Sequence, residues 1–297
     1  MRQIADDGVV PAAAISERGQ DLTRPGTVAR RTGSGWRVDG RKLFCTMSPA
    51  ATDLYVAVTY ADERGAERYA YAMVPAGAPG VVIDDDWDAL GMRASGSNSV
   101  SFEAVELPES AVRGGFRVGD PVPYIERNLH AGLFHASASL GIAESADAIV
   151  RRGIAGRING DARPRVLVAD NAVDLAASRG VLSRAAALID EHRAANPASD
   201  GTADELTALF AEAQAATAFI NEAAARIVDR ALALSGGAGY VNGSPLARAY
   251  RDVKAGSFMQ PLGANRVYDY LGEVALGNEA ALHRDGACSH SQRRFGR

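Results

Sequence analysis

Cysteine is scarce in this chain: Cys45 and Cys288 are the two among 297 residues. A pair so widely separated makes neither a disulfide framework nor a zinc-type spacing, so a reducing compartment fits best and no metal site is expected. Long apolar runs are also missing. No stretch approaches the ~18 apolar residues that a membrane-spanning helix needs. The start, Met1-Arg2-Gln3-Ile4-Ala5-Asp6-Asp7, is charged and lacks the apolar run of a secretory signal. Positive charge is not in excess either, since 32 Lys and Arg against 36 Asp and Glu leave a net charge of −4. Nucleic-acid binders concentrate basic residues on one face. The basic cluster outside helices, Gln292-Arg293-Arg294-Phe295-Gly296-Arg297, sits at a terminus, where a solvated tail is the ordinary outcome. There is no internal repeat and no low-complexity segment. These absences predict a cytoplasmic chain with no membrane and no nucleic-acid partner.

What is present is 47% hydrophobic content, enough to bury sizeable cores, and a length that suggests two domains. Composition changes near residue 120. Before it, short β-type runs alternate with turn signals. Leu54, Val56 and Val58 share one strand face, Tyr69 to Val74 form a second apolar run, and Val100, Phe102 and Ala104 alternate with polar residues. Thr32-Gly33-Ser34-Gly35 and Asp62-Glu63-Arg64-Gly65 read as hairpin turns. Strands at this spacing predict a small antiparallel barrel or sandwich.

After Pro121 and Pro123 the chain is alanine-rich and helix-periodic. Leu206, Leu209, Phe210, Ala213, Thr217, Ile220, Ala224, Ile227, Ala231 and Leu234 paint one stripe on a long helix, preceded by Pro197, Ser199 and Asp200 and stopped by Gly236-Gly237. Long helices are also predicted over 122–156 and 164–195, and a shorter pair over 246–256 and 262–277. Long helices with short connections predict a bundle. The fold class is therefore α+β: an antiparallel β-barrel domain over 15–118, then an up-down four-helix bundle over 121–278. The last stretch, 279–297, lacks periodicity and reads as disordered.

Three motifs carry chemistry. The first is Gly40-Arg41-Lys42-Leu43-Phe44-Cys45-Thr46. The second is Leu90-Gly91-Met92-Arg93-Ala94-Ser95-Gly96-Ser97, leading to Val105-Glu106-Leu107-Pro108. The third is Leu234-Ser235-Gly236-Gly237-Ala238-Gly239-Tyr240, followed by Arg251-Asp252. In this order they resemble the acyl-CoA dehydrogenase superfamily, over roughly Ile4 to Gly277.

The resemblance implies a flavin, FAD or alternatively FMN, held by a middle β domain and a C-terminal bundle in a homodimer or homotetramer. Ile15 and Ser16 match the segment that contacts the isoalloxazine ring. Phe44 matches the aromatic packed on it, and Thr46 the hydroxyl near N5. Gly236 and Gly237 match the paired glycines under the adenine or pyrophosphate, and Arg157 is the nearest match to a pyrophosphate-binding arginine. The residues alone leave alternatives open: Phe44 as plain core, and Gly236-Gly237 as a simple helix stop. The family begins with a helical domain ahead of the barrel. Residues 1–14 read as its remnant, which leads us to expect a truncated chain, with the missing part supplied by another chain in a non-catalytic-partner reading.

The chain departs from the pattern where dehydrogenation needs a carboxylate to take a proton. Gln260 stands at the usual base position. The alternative position, on the first bundle helix, is Ala131, with His130 beside it and Glu126 one turn earlier. Glu126 and His130, four apart on one helix face, are either a base–orienter pair or a solvated Glu and an ordinary helix His; His135 is a weaker candidate. The substrate loop is shortened to Glu17-Arg18-Gly19-Gln20-Asp21-Leu22, and Ala233 replaces a flavin-reaching glutamine. Two activities follow from the resemblance: α,β-dehydrogenation of an acyl-CoA thioester, or two-component flavin monooxygenation or N-hydroxylation of a small molecule. The latter takes reduced flavin from a separate flavin reductase and needs no such base. The run Ala255 to Pro261 fits the monooxygenase branch better.

Overall fold

The computed structural model describes residues 6, 8–19, 21–154, 162–196, 202–259, 261–263, 265–280 and 282. They fall into two compact units. One holds the residues up to Ala89, Arg93–Tyr124 and Leu282; the other holds Leu90–Met92 and Ile125–Ala280.

The first unit is a mixed sheet of eight strands: β1 (Pro11–Ala14), β2 (Val28–Arg31), β3 (Gly35–Cys45), β4 (Asp53–Ala61), β5 (Glu67–Pro75), β6 (Val81–Ile83), β7 (Asn98–Pro108) and β8 (Val112–Arg117). The order is β6-β7-β3-β2-β4-β5-β8, with β1 added on β4. Most pairs are antiparallel, as the alternation predicts, but β1 and β2 both run parallel to β4, at Asp53–Val56 and at Thr59. Leu54, Val56, Val58, Ala70, Ala72, Val74, Val100 and Val105 are fully buried, with Trp36 and Phe102 nearly so. Each buried Leu or Val side chain contributes about 1.5–3 kcal/mol.

Both predicted hairpin turns form. Thr32 N donates to Gly35 O, and Asp62 Oδ1 accepts from Arg64 N and Ala66 N. The β7 alternation does not run through as read from sequence. Ala104, expected on the face of Val100 and Phe102, is exposed with φ 52. The register slips against β3 between Val38 and Gly40, and Val105 and Leu107 take over the buried face. This is a β-bulge, in which one extra residue leaves the ladder and re-aims those that follow.

The second unit is helical: the latter half of α1 (Pro121–Asn128, whose residues to Tyr124 belong to the first unit), α2 (Ala131–Ile154), α3 (Ala162–Ala195), α4 (Ala203–Ser235), the one-turn α5 (Gly237–Tyr240), α6 (Pro245–Val253) and α7 (Asn265–Ala275). The signal that starts α4 is Thr202, whose Oγ1 accepts from Glu205 N while Glu205 Oε2 accepts from Thr202 N. This capping box satisfies two otherwise orphaned donors. Leu206, Phe210, Ala213, Thr217, Ile220, Ala224, Ile227 and Ala231 are buried as the stripe predicts. Gln214, Ala216, Asn221, Ala223 and Val228 are buried as well, because α2, α3, α6 and α7 all pack on α4.

Cross-helix pairs give the directions. Gly132 lies against Thr217, and Gly256 against both Ser139 and Asn221, so α2 and α4 run parallel. Arg184 pairs with Glu212 and Arg226 with Asp174, so α3 runs antiparallel to both. Tyr268 donates to Glu222 and Tyr270 meets Phe210, so α7 opposes α4. The long helices α2, α3 and α4 thus alternate up-down-up, with α7 running down and the short α6 packed on α2 and α4.

Candidate functional site

In the β unit, the first motif meets both the Ile15-Ser16-Glu17 segment and the second motif. Leu43 N donates to Ser16 O at 2.8 Å, the single bridge that lays this segment along β3. One residue on, still within β3, Phe44 takes a left-handed conformation (φ 57) where the register against β7 shifts between Lys42 and Cys45, and Thr46 N turns back to Phe44 O at 3.0 Å. A bulky residue at positive φ costs of order 1–3 kcal/mol and persists where its surroundings over-determine it. The Phe44 ring is 63% exposed, with its edge against Trp87 at 6.3 Å and 83°. Plain core is therefore not its role. Thr46 Oγ1 lies 2.9 Å from Ser97 Oγ, and Ser97 Oγ lies 2.7 Å from Ser95 Oγ. The first and second motifs thus join in a row of three rotatable hydroxyls, each able to donate or accept.

Beneath this surface lies an ion pair that sequence reasoning missed. Lys42 Nζ is 2.5 Å from Glu17 Oε1 and 3.4 Å from Ile15 O, with the Lys42 side chain 0% and Glu17 11% exposed. Glu17 also accepts from Gly26 N at 2.5 Å, Thr27 N at 2.8 Å and Thr27 Oγ1 at 2.7 Å. Burial alone would raise its pKa. The Lys42 ammonium and these donors outweigh burial and hold the carboxyl below its ordinary value. Burial lowers Lys42, and Glu17 opposes that without cancelling it. Burial also pushes the Cys45 thiol up to about 12, so it is no nucleophile. The signal in the sequence was parity: Lys42 falls on the alternation of the buried Trp36 and Val38, where a charged residue is kept only with a partner.

In the helical unit the candidates are dispersed. The helix predicted over 122–156 breaks at Leu129-His130, so Glu126 on α1 and His130 before α2 do not share one continuous helix face. This corrects the basis on which they were paired. His130 Nδ1 lies 3.1 Å from Arg193 Nη2, and its ring edge meets Phe134. Burial and the Arg193 guanidinium both lower the His130 pKa, and burial lowers that of His135. Gly236 caps α4 at φ 63, a conformation that favours glycine. A Cβ at Gly236 or Gly237 would meet nothing within 4 Å among the described residues, so none of these requires the second glycine. Gly132 faces Thr217, and Gly236 lies 19 residues further along α4, roughly 28 Å at the helical rise. His130 and the paired glycines are therefore at opposite ends of the bundle. Arg157 and Gln260 lie outside the described residues.

Arg251-Asp252 has a local explanation. Asp252 Oδ1 accepts from Met92 N at 2.7 Å, and a Cβ on Gly91 would stand 2.2 Å from Arg251 O. The second and third motifs are thus linked through Leu90–Met92, with glycine required by the close approach. Among the described residues, no group of three or more His, Cys, Asp or Glu could hold a metal ion, and no helix is long and apolar enough to cross a membrane.

The model of the acyl-CoA dehydrogenase middle domain matches residues 12–105, and that of the C-terminal domain matches 114–267. An amino sugar nitrososynthase of Streptomyces peucetius is 34% identical over 281 residues, 93% of this chain and 67% of the relative. An L-evernosamine nitrososynthase of Micromonospora is 37% identical over 253 residues, 82% of this chain and 58% of the relative. The chain thus spans about two thirds or less of these relatives. The solved structure of KijD3 in complex with FMN and dTDP-3-amino-2,3,6-trideoxy-4-keto-3-methyl-D-glucose is 26% identical, with a TM-score of 0.82, over 99% of this chain and 70% of that one. The chain belongs to the acyl-CoA dehydrogenase family.

Proposed function

We propose that this chain is the flavin-seating and helical part of a flavin-dependent N-oxygenase acting on the amino group of an amino sugar. The observation that carries the reading is Phe44: an aromatic ring held out of the core by a left-handed residue near the end of β3, beside the Ser16 backbone and a row of hydroxyls. That surface fits a planar aromatic cofactor, which an exposed ring can stack upon while excluding water. Ile15 and Ser16 would present backbone groups to it, Phe44 its ring, and Thr46 a hydroxyl whose hydrogen bond can stabilise developing charge. By the resemblance, Gly236-Gly237 through their small size and Arg157 through its charge are separate candidates for holding a phosphate group.

When bound and reduced, the flavin supplies two electrons per turnover. An amine R–NH2, O2 and two reducing equivalents then give R–NHOH and water; a second round gives R–NO and two waters. A separate flavin reductase would supply the reduced cofactor, FMN in the first instance and FAD as the alternative, and a homodimer or homotetramer is the expected assembly. This chemistry needs no carboxylate to remove a carbon-bound proton, which suits Gln260 at the position a base would take. The acyl-thioester dehydrogenase reading retains the family resemblance but has to find its base elsewhere. Support for the amine reading comes from the nitrososynthase relatives at 34% and 37% identity.

The test is a reductase-coupled assay with FMN, NADH and O2, offered a dTDP-3-amino sugar and, in parallel, a short acyl-CoA. Mass spectrometry should show oxygen added to the amino sugar and no change in the acyl-CoA. Anaerobic bleaching of bound flavin by the acyl-CoA, with the amine untouched, would overturn the reading.

A further inference from the structure

None of the proposed flavin contacts explains why an ammonium group is sealed inside the β unit. We propose that Glu17 and Lys42 are positioning residues for the flavin seat: their ion pair sets the register between Ile15-Ser16 and the Phe44–Thr46 turn without touching the cofactor. The proposal rests on the flavin reading above and names the part of the seat that decides its geometry.

Three segments converge on the pair. Ile15–Glu17 lies between β1 and β2, joined to β3 by the Ser16–Leu43 bridge rather than by a ladder. The Glu17 and Lys42 side chains add contacts that this bridge does not supply. Gly26-Thr27 donates two backbone N–H groups and one hydroxyl to the Glu17 carboxylate, and β3 supplies the Lys42 ammonium. The second and third segments are in close contact too, since a Cβ on Gly40 (φ +155) would stand 2.4 Å from Thr27 Oγ1.

Apolar contact is non-directional and would let the Ile15–Glu17 segment slide along β3. A carboxylate that accepts four donors admits one arrangement, because charge-assisted hydrogen bonds demand both distance and angle. The consequence is local. Glu17 is adjacent to Ser16, Lys42 is two residues before Phe44, and Leu43 between them makes the bridge. A slip of the pair is a slip of Ser16 against Phe44. Replacing a buried ion pair by apolar groups is often neutral or stabilising, so retention of this one points to specificity of arrangement.

The experiment uses the full chain and the variants Lys42→Met and Thr27→Val. Hydrogen exchange is read at the amides of Leu43 and Thr27, against Val56 and Ala72 in the middle of β4 and β5, alongside FMN titration by fluorescence quenching and the visible spectrum of bound FMN. In Lys42→Met, protection at Leu43 and Thr27 should fall about tenfold with Val56 and Ala72 unchanged, and the Kd for FMN should rise about tenfold. Thr27→Val should shift both in the same sense by about threefold, and it carries the test if Lys42→Met fails to fold. The proposal is overturned if the folded variants keep parental Leu43 protection and FMN affinity. It is equally overturned if protection is lost evenly across β4 and β5 in step with affinity, the mark of a merely structural pair. Should the parent chain bind neither FMN nor FAD, the flavin reading falls, while the exchange data still decide whether the pair sets the local register.

Discussion

Removing one partner of the Glu17–Lys42 pair should cost stability in opposite pH-dependent ways. In Glu17→Gln the Lys42 ammonium stays in a site with no solvent exposure, with the Ile15 carbonyl 3.4 Å away, and the new amide turns an N–H toward donors. Stranding a buried charge costs about 3–5 kcal/mol. The cost has a ceiling, because Lys42 can release its proton. From its ordinary 10.5, deprotonation at pH 7 costs about 5 kcal/mol, falling by about 1.4 kcal/mol per pH unit. The folded state of the variant then binds fewer protons than the unfolded state, so its stability rises with pH. The rise should begin at lower pH than in the parent, where Glu17 holds the proton in place.

In Lys42→Met the carboxylate keeps the Gly26 and Thr27 donors and 11% exposure, so the cost at pH 7 is smaller, about 1–3 kcal/mol. Glu17 loses the main charge that depresses its pKa, so the deficit against the parent shrinks as pH falls toward the carboxylate range. Both tryptophans, Trp36 and Trp87, lie in the β unit, so urea denaturation followed by tryptophan fluorescence reports on this unit. Curves at pH 5, 7 and 9 should show Glu17→Gln recovering toward pH 9 and Lys42→Met toward pH 5. Equal costs at pH 7, or the same pH trend in both, would refute the reasoning.

Three further outcomes are expected. Phe44→Gly should leave the unliganded chain as stable or up to about 1 kcal/mol more so, by relieving the left-handed backbone, while weakening flavin affinity about tenfold; thermal melts and FMN titration check the two halves. Gly91→Ala should destabilise the helical unit by more than about 2 kcal/mol, because the new methyl meets the backbone of Arg251-Asp252, and the helical circular-dichroism melt should show it. Stability of the parent should fall as pH drops below about 6.5, since His130 and His135 resist protonation in the folded state and the unfolded chain takes up those protons. It should fall again in the acid range as Glu17 and Asp174, held below their ordinary values, are forced to protonate; urea midpoints across pH 3–8 check both steps.

The sequence by itself determined the α+β class, the hairpins at Thr32–Gly35 and Asp62–Gly65, and the buried stripe of α4. Each rests on local rules, namely turn chemistry and a period of two or 3.6, that one strand or helix can express alone. It also carried the three motifs, because glycine and hydroxyl spacing survives in a linear string. The tertiary structure decided what periodicity cannot encode. The bulge at Ala104 and the parallel pairings of β1 and β2 depend on which strand lies alongside. The break at Leu129-His130 separates two residues that spacing had joined. Nothing in the linear string pairs Lys42 with Glu17, 25 positions earlier in the chain, because the free energy that keeps a charge buried lies in a partner brought near only by folding. Phe44 reads equally well as core until its positive φ turns the ring outward, and that orientation makes it the candidate surface on which function rests.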